Sequence, residues 1–276
     1  MKVARALPET TQRLASAGCE TPRVDAEILV AHVLGVARSE LVLEPARKVS
    51  RREEKELDRL VSRREAREPL AYVLGEWGFR RLMLAVDRRV LVPRPETEVV
   101  VERCLARLSG IAEPRILDVG TGSGAIALAV ADEHPGALVT GIDASPDALE
   151  VAGANALRTK LAVTLREWDL FHGLPEGPWD LVVSNPPYVL PEEIDVLEPE
   201  VRDWEPRDAL IGVGTTEAVA RGALAVLDEG GALVLEVAAA DAARVAALLG
   251  DLGYVEVTTN TDLTGRDRVV EGVLAA

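Results

Sequence analysis

The second half of the chain alternates between short apolar runs and amphipathic segments, and this alternation constrains the fold more than any other feature. From Pro114 onward, apolar runs such as RILDVG, ALVTGID and GALVLEV are each followed by a turn and a segment with helical spacing. Strands that alternate with helices indicate a mostly parallel sheet with helices on both faces. Seven strands are predicted, and the last two are YVEVTTN and DRVVEGVLA.

The final link, TDLTGR, is too short for a parallel crossover, so the last strand is predicted to run antiparallel to its neighbour. The first 75 residues look helical instead. Pro22, after Thr21, and Ser50 mark two helix starts. Apolar residues then recur at helical spacing, namely Val24, Ile28, Leu29 and Val33 in the first helix, and Leu57, Leu60 and Val61 in the second.

Between the helical and alternating regions, Gly75 and Gly78 break the helical pattern. The segments RLMLAVD and RVLVP are predicted to be two short strands that form a hairpin. We therefore predict a helical domain over residues 1–75, a hairpin linker over residues 76–98 and an α/β domain over residues 99–276.

Composition excludes several classes of protein. The chain has 46 acidic and 31 basic residues and a net charge of −15, which disfavours a surface that coats nucleic acid. Cys19 and Cys104 are its two cysteines and form no CxxC pair, so we expect no metal site and a reducing environment. No stretch approaches the ~20 apolar residues of a membrane span. We expect a cytoplasmic protein.

The stretch ILDVGTGSGAIALA carries Gly120, Gly122 and Gly124 between a strand and a helix. Glycines at that point let the backbone turn sharply and let a ligand approach the main chain. Asp143 ends the next strand, where a carboxylate can accept hydrogen bonds from ribose hydroxyls. Asp118 precedes the first glycine, where it would meet the charged amino-acid end of S-adenosylmethionine.

This glycine pattern does not choose a cofactor by itself. Gly120, Gly122 and Ala125 also satisfy the relaxed dinucleotide fingerprint, with an acid about 20 residues further on. Asp118 and the antiparallel last strand favour S-adenosylmethionine. The alternative without a ligand is a tight strand-to-helix turn.

The stretch SNPPY places Asn185 at the carboxyl end of the fourth strand of the sheet. In a carboxamide or a base amine the nitrogen lone pair is delocalised, so two acceptors that hold both N–H groups orient it for attack. The Asn185 side-chain oxygen is one acceptor, and the Pro186 carbonyl, stiffened by Pro187, is the other. Tyr188 can cover the planar group by stacking. The alternative is a proline-rich loop that caps a strand.

The glycine loop, Asp143 and NPPY together resemble class I methyltransferases that act on planar nitrogen. The ordered segments PLAYVLGEWGF, LVPRPETE, LDVGTGSGAIALA, SNPPY, EPRDAL and GRDRVV, over about residues 20–276, resemble the release-factor glutamine N5-methyltransferase family, also called HemK or PrmC. The resemblance implies a seven-stranded, Rossmann-like α/β domain of the class I S-adenosylmethionine-dependent methyltransferases. A small helical domain and a β-hairpin linker would precede it.

The resemblance also implies an activity and a set of site residues. S-adenosylmethionine would give its methyl group to the glutamine side-chain amide in the GGQ motif of class I peptide-chain release factors, leaving S-adenosylhomocysteine. The domain layout, rather than the resemblance, leads us to expect that the helical domain recognises the release factor, because the active-site domain alone cannot choose one glutamine among all protein glutamines. Cofactor contacts are implied for Asp118, Gly120, Thr121, Gly122, Ser123, Gly124, Asp143, Asp169, Leu170 and Asn185. Catalytic roles are implied for Asn185, Pro186 and Tyr188, and substrate contacts for these three, Pro187, Arg94 and Glu96.

The chain departs from the family pattern in two places. Leu170 stands where members often carry an aromatic residue against the adenine, and Val237–Ala240 replaces an Ile-Gly segment. These departures leave open what packs on the adenine and what the second loop contacts.

Three other functions compete with this reading. An adenine-N6 nucleic-acid methyltransferase would flip a base between the same two acceptors, the clamp formed by the Asn185 side-chain oxygen and the Pro186 carbonyl. The acidic charge and the lack of an evident base-recognition domain disfavour this function. A binding protein without catalysis would not need the clamp. A dehydrogenase would need an acid near the cofactor, and His32, His134 and His172 have no partners that can be identified from the sequence. We expect a monomer with no membrane or nucleic-acid partner.

Overall fold

The structure, a computed structural model, describes residues 1–275 and divides into two compact units. The first unit consists of residues 1–76 together with residues 197–204. The second unit begins at Trp77 and contains the rest of the described chain. Within residues 1–275, no helix combines the length and the apolar character that crossing a bilayer requires.

The first unit is helical, as the sequence predicted. Its helices are α1 (Val3–Ser16), α2 (Pro22–Leu34), α3 (Arg38–Leu43), α4 (Arg51–Glu65) and α5 (Leu70–Leu74), with the short α9 (Pro199–Arg202) from the second segment. Helix α4 starts after Ser50 because Ser50 and Glu53 form a capping box: the Ser50 hydroxyl accepts from the Glu53 N–H, and the Glu53 carboxylate accepts from the Ser50 N–H.

The buried face of α2 matches the predicted one only in part. Leu29 is buried as predicted and Val33 packs against the same core, but Val24 is 40% exposed, and Ala26 and Val30 are buried as well. The inward face also carries Asp25, which the apolar pattern could not assign to the core. The apolar residues predicted for α4 are buried as expected, namely Leu57, Leu60 and Val61.

Asp25 is buried because Arg64 of α4 compensates its charge. The Arg64 guanidinium donates to Asp25 at 2.8 Å and lies 2.7 Å from the Glu200 carboxylate. Arg67 donates to both Glu200 oxygens, at 2.7 and 2.6 Å. These ion pairs attach α9 to the helices of the first unit, although it is far from them in sequence.

The hairpin lies earlier in the chain than predicted. Its strands are β1 (Glu76–Phe79) and β2 (Leu82–Ala85), joined by a turn in which Arg80 has a positive φ of 51°. The prediction of a strand at RVLVP was wrong. The Asp87 carboxylate accepts from the Arg89 N–H and pairs with the Arg89 side chain, which forms a turn there instead.

The second unit contains a seven-stranded sheet in the order β5-β4-β3-β6-β7-β9-β8. Strands β3 to β7 pair in parallel, and β9 runs antiparallel to both β7 and β8, which confirms the predicted topology. The strands are β3 (Arg115–Val119), β4 (Leu138–Asp143), β5 (Thr164–Glu167), β6 (Trp179–Ser184), β7 (Leu227–Glu236), β8 (Tyr254–Thr261) and β9 (Asp267–Leu274). The helices are α6 (Thr97–Arg107), α7 (Ala125–Glu133), α8 (Pro146–Thr159), α10 (Arg207–Leu210), α11 (Thr215–Leu224) and α12 (Ala242–Asp251).

Alternate residues of the central strands enter two separate hydrophobic clusters, one on each face of the sheet. Ile116 packs with α6 and α7, whereas its neighbour Leu117 packs with α11 and α12. The alternation places Asp118 on the α6–α7 side, where its carboxylate accepts a hydrogen bond from the Ala127 N–H of α7. A charged side chain therefore lies within an apolar layer near the carboxyl end of β3.

Candidate active site

A cleft of about 550 Å³ opens at the carboxyl ends of β3, β4 and β6, within the second unit. The carboxyl ends of parallel strands meet at one edge of a sheet, and ligands of α/β proteins bind there. Of the residues predicted from sequence, those that line the cleft are Arg94, Gly120, Thr121, Gly122, Ser123, Asp143, Asp169, Leu170, Asn185 and Pro187. Those that do not line it are Glu96, Asp118, Gly124, Pro186 and Tyr188.

The glycine loop follows β3 and needs its glycines for backbone conformation. Gly120, Gly122 and Gly124 have φ values of 74°, 55° and 81°, in the left-handed region that side chains disfavour. A Cβ at Gly120 or Gly122 would meet no atom within 4 Å, so the space beside the loop backbone is open. The Gly120 and Thr121 N–H groups donate to the Ile142 carbonyl of β4, which fixes the start of the loop.

Asn155 of α8 holds the other end of the loop. Its Nδ2 donates to the Ser123 carbonyl at 2.9 Å and to the Ala85 carbonyl at 3.0 Å, while its Oδ1 accepts from the Ala85 N–H at 2.7 Å. Asn155 is fully buried, and these bonds satisfy it. No pattern in the sequence indicates this role, because it depends on a strand 70 residues away.

Asp118 lies beneath the loop and is only 1% exposed. Its Oδ2 accepts from the Thr121 hydroxyl at 2.7 Å and from the Ala127 N–H at 3.2 Å. Its Oδ1 is buried and has no hydrogen-bond partner among the described residues. Burial raises the pKa of Asp118 to about 7. A carboxylate oxygen in this state is suited to a cationic group of a ligand.

Asp143 ends β4 and faces the cleft directly. Its Oδ2 accepts from the Gly122 N–H and its Oδ1 from the Ser145 N–H, both at 2.9 Å. Burial raises its pKa, and the backbone N–H donors oppose that rise. Each carboxylate oxygen can accept a further hydrogen bond, which fits a ligand with two neighbouring hydroxyls.

Two aromatic side chains lie on either side of Leu170 in the cleft wall, and the sequence reading missed both. Trp168 is half-buried, and its Nε1 donates to the Gly173 carbonyl at 2.7 Å. Phe171 is 65% exposed, and its N–H donates to the Asp169 carboxylate at 2.9 Å. The segment EWDLF contains both residues, so attention to aromatics beside Leu170 could have found them.

Asn185 follows β6, and its orientation is set by a hydrogen bond. Its Nδ2 donates to the Thr97 hydroxyl at 3.3 Å, so Oδ1 diverges from Thr97. The neighbouring Ser184 hydroxyl donates to the Val119 carbonyl at 2.7 Å, which ties the ends of β6 and β3 together. Burial raises the pKa of Tyr188, which is half-buried and does not line the cleft.

Thr97 and Glu236 were missed by the sequence reading. Thr97 lines the cleft at the first residue of α6, and its hydroxyl donates to Glu236 Oε2 at 2.7 Å. Glu236 ends β7, is 1% exposed and has its pKa raised by burial to about 7. The motif PRPETE contains Thr97, but only the fold shows that its hydroxyl joins two buried groups.

Arg94 lines the cleft and is held by a buried acid. Its Nη2 donates to both carboxylate oxygens of Glu205, at 2.6 and 2.7 Å, and the Glu205 side chain is 1% exposed. Burial raises the pKa of Glu205 despite the opposing effects of Arg94 and the Val92 N–H. Glu96 lies at the N-cap of α6 instead. No cluster of His, Cys, Asp or Glu within residues 1–275 could hold a metal ion.

Comparisons with known proteins agree with this geometry. Residues 5–75 match the family model described as PrmC N-terminal domain, and residues 97–198 match the one described as Methyltransferase small domain. A Caulobacter vibrioides protein named release factor glutamine methyltransferase is 41% identical, and the match covers 99% of this chain and 96% of that protein. A Deinococcus radiodurans protein of the same name is 39% identical, and the match covers 98% of each.

A solved structure shows the same fold at low identity. The T. thermophilus 16S rRNA N2 G1207 methyltransferase, in complex with AdoMet and guanosine, is 18% identical with a TM-score of 0.53. The match covers 72% of this chain and 49% of that one. The sheet order, the antiparallel β9 and the glycine loop define the protein as one with the class I methyltransferase fold. Its near-full-length relatives at about 40% identity show that it belongs to the release factor glutamine methyltransferase family.

The pKa of Asp118 predicts how stability depends on pH. The folded protein keeps a proton that the unfolded chain releases above pH 3.8, so the free energy of unfolding falls as pH rises toward about 7. Across that window the loss is on the order of 4 kcal/mol. Asp118→Asn keeps the shape without the charge, so its melting temperature should exceed the parent's at pH 8 and equal it at pH 4.

Thermal unfolding at a series of pH values measures this difference. Asp169→Asn is the matched control, because it makes the same substitution at an exposed carboxylate beside the same cleft. If the melting temperatures of Asp118→Asn and of the parent change in parallel between pH 4 and pH 8, the pKa of Asp118 is not raised in the folded protein and the prediction is wrong.

Proposed function

We propose that this protein transfers a methyl group from S-adenosylmethionine to the side-chain amide nitrogen, N5, of the glutamine in the GGQ motif of class I peptide-chain release factors. The observation that carries the proposal is the placement of Asn185 in the glycine-loop cleft, with its Nδ2 bonded to Thr97. The names of the full-length relatives support the choice of substrate.

The residues of the cleft fit S-adenosylmethionine, which when bound supplies an electrophilic methyl group on a sulfonium. The open backbone at Gly120 and Gly122 would hold its methionine end, with Thr121 and Ser123 beside them. Asp118 would attract the ammonium group through Oδ1, which has no partner among residues 1–275. Asp143 would accept from the ribose hydroxyls.

The adenine would lie against the wall formed by Leu170 and the two aromatics, Trp168 and Phe171. The rings provide the apolar contact that Leu170 alone would not, and an adenine face stacks favourably on aromatic side chains. Asp169, whose Oδ1 already accepts from the Phe171 N–H, keeps acceptor capacity for the adenine amine.

The glutamine amide would be held by two acceptors, Asn185 Oδ1 and the Pro186 carbonyl. An amide nitrogen is a weak nucleophile because its lone pair is delocalised, so the contribution of the protein is to fix its plane and direction. Such positioning can lower a barrier by on the order of 7 kcal/mol in the best cases. Pro187 lines the cleft, whereas the substrate contacts of Pro186 and Tyr188 stay predictions.

Arg94 would bind a carbonyl of the release-factor backbone beside the glutamine. Its Nη2 is engaged by Glu205, and its remaining N–H donors are directed by that pair. Because the buried Glu205 carboxylate already holds the Arg94 guanidinium through two contacts, Arg94 would present these donors without a large loss of side-chain entropy. Glu96, at the N-cap of α6, would contact the substrate at the rim of the cleft.

The helical unit would supply recognition of the release factor. The cleft can hold one glutamine side chain but cannot distinguish it from glutamines of other proteins. The match of residues 5–75 to the PrmC N-terminal domain supports a dedicated role for this unit.

Methyl transfer to a release factor tests the proposed activity. With labelled S-adenosylmethionine, the parent protein should label a class I release factor, and mass spectrometry should place one methyl on the GGQ glutamine. A factor carrying Ala in place of that glutamine should stay unlabelled. Labelling of the altered factor, or of duplex DNA or RNA instead, would contradict the proposal.

Asn185→Ala tests the clamp. The substitution removes one of the two acceptors, so kcat should fall by about 100-fold or more, on the scale of losing a preorganised polar contact. The affinity for S-adenosylmethionine, measured by calorimetry, should change little. Asn260→Ala on the edge strand β8 is the control and should keep full activity. An unchanged kcat in Asn185→Ala would refute the clamp.

Hydrogen exchange tests recognition by the helical unit. Adding a catalytically inert GGQ-substituted release factor should slow amide exchange in α1, α2 or α4 as well as around the cleft. Adding S-adenosylmethionine alone should protect only the cleft. Protection confined to the second unit in both cases would remove the recognition role from residues 1–75.

A further inference from the structure

We infer that Glu236, acting through the Thr97 hydroxyl, sets which end of the Asn185 amide faces the substrate and is therefore a positioning residue for methyl transfer. The inference rests on the proposed function, because it assigns Asn185 Oδ1 to the substrate amide. Neither Glu236 nor Thr97 was expected from sequence to have a role.

Three elements of the second unit bring the three groups together. Glu236 is the last residue of β7, Thr97 is the first residue of α6, and Asn185 immediately follows β6. The Thr97 hydroxyl lies 2.7 Å from Glu236 Oε2 and 3.3 Å from Asn185 Nδ2. Glu236 and Thr97 are 1% and 4% exposed, so water does not compete freely for these bonds.

The direction of each hydrogen bond follows from the chemistry of the groups. An ionised carboxylate only accepts, so the single Thr97 hydroxyl proton points to Glu236. The Thr97 oxygen can then only accept from Asn185, and within the Asn185 side chain only Nδ2 can donate. Oδ1 is thereby turned away from Thr97, in the direction that a substrate N–H requires.

Protonation of Glu236 removes this constraint. A neutral carboxyl group can donate to the Thr97 oxygen, which frees the Thr97 hydroxyl to donate to Asn185 Oδ1. The amide then turns over and presents its NH₂ to the N–H groups of the substrate. Two donors would face each other, so the clamp would hold the glutamine poorly. Methyl transfer therefore needs the ionised form of Glu236.

The surroundings of Glu236 place this change near neutral pH. Burial raises its pKa to about 7. The Thr97 bond, Arg268 on β9 and Arg94 before α6 favour the ionised form, whereas Glu96 opposes it. Tyr188, after β6, is also close enough to interact with Glu236, whose negative charge contributes to the raised pKa of the Tyr188 hydroxyl. The ionised form is lost as pH falls through about 7, so kcat should fall in the same direction.

The test compares two substitutions at Thr97. Thr97→Val keeps the branched shape and removes the hydroxyl, whereas Thr97→Ser keeps the hydroxyl and removes a methyl group. With saturating S-adenosylmethionine and a release factor, kcat should fall about tenfold in Thr97→Val, the scale of one hydrogen bond. It should stay within about threefold in Thr97→Ser. The affinity of both variants for S-adenosylmethionine, by calorimetry, verifies that the cleft is folded.

A second arm uses Glu236→Gln, which cannot ionise. The kcat of the parent should decline from pH 8 to pH 6, and the decline should be smaller in Glu236→Gln, whose kcat is lower at pH 8. Asp118 is present in both proteins, so any contribution of its titration is common to both, and the difference between the two profiles reports Glu236. Equal kcat in Thr97→Val and Thr97→Ser, or the parent's pH profile in Glu236→Gln, overturns the inference.

A readout without substrate separates this inference from the proposed function. The side-chain NH₂ of Asn185, followed by ¹⁵N NMR, should exchange slowly with solvent in the parent and in Thr97→Ser, and rapidly in Thr97→Val. If the parent fails to methylate the GGQ glutamine but this pattern holds, the proposed function is wrong and the positioning of Asn185 by Glu236 and Thr97 stands. If exchange is identical in all three proteins, that positioning is wrong.

Discussion

The buried hydrogen bond between Thr97 and Glu236 is the interaction on which the arrangement of the cleft depends. It joins the start of α6 to the end of β7, and β6, the neighbour of β7 in the sheet, carries Asn185 at its end. Burying a carboxylate beside an apolar layer costs free energy, and the Thr97 bond offsets only part of that cost. The residual penalty appears as the raised pKa of Glu236.

Three buried or partly buried carboxylates lie near the same edge of the sheet, and they differ in their hydrogen-bond partners. Asp143 binds backbone N–H groups with both oxygens. Asp118 leaves one oxygen without a partner among the described residues. Glu236 binds a hydroxyl that in turn orients an amide. The roles that we propose for them, toward a ribose, toward a cationic group and in positioning an amide, rest on these differences in partners rather than on the residue type.

The fold was largely predictable because period and spacing are local properties of sequence. The alternation after Pro114 and the short link before β9 specified the sheet, and the motif residues at the strand ends converge because parallel strands end at one edge. The strand predicted at RVLVP failed because a local Asp87–Arg89 bond outweighed an apolar run. Asn155, Glu205 and Glu236 could not be assigned, because their partners lie far away in sequence and only the fold brings them together. Trp168 and Phe171 could have been predicted as cleft residues, because the segment EWDLF carries both aromatic side chains within two residues of Leu170.

Neutron diffraction from deuterated crystals, grown with S-adenosylmethionine at pH 8, tests the central claim most directly, because it distinguishes oxygen from nitrogen and locates exchangeable protons. The account predicts an unprotonated Glu236, a Thr97 deuteron directed at Glu236 Oε2, and Asn185 Nδ2 directed at Thr97. A deuteron on Glu236, or Asn185 Oδ1 facing Thr97, would contradict it.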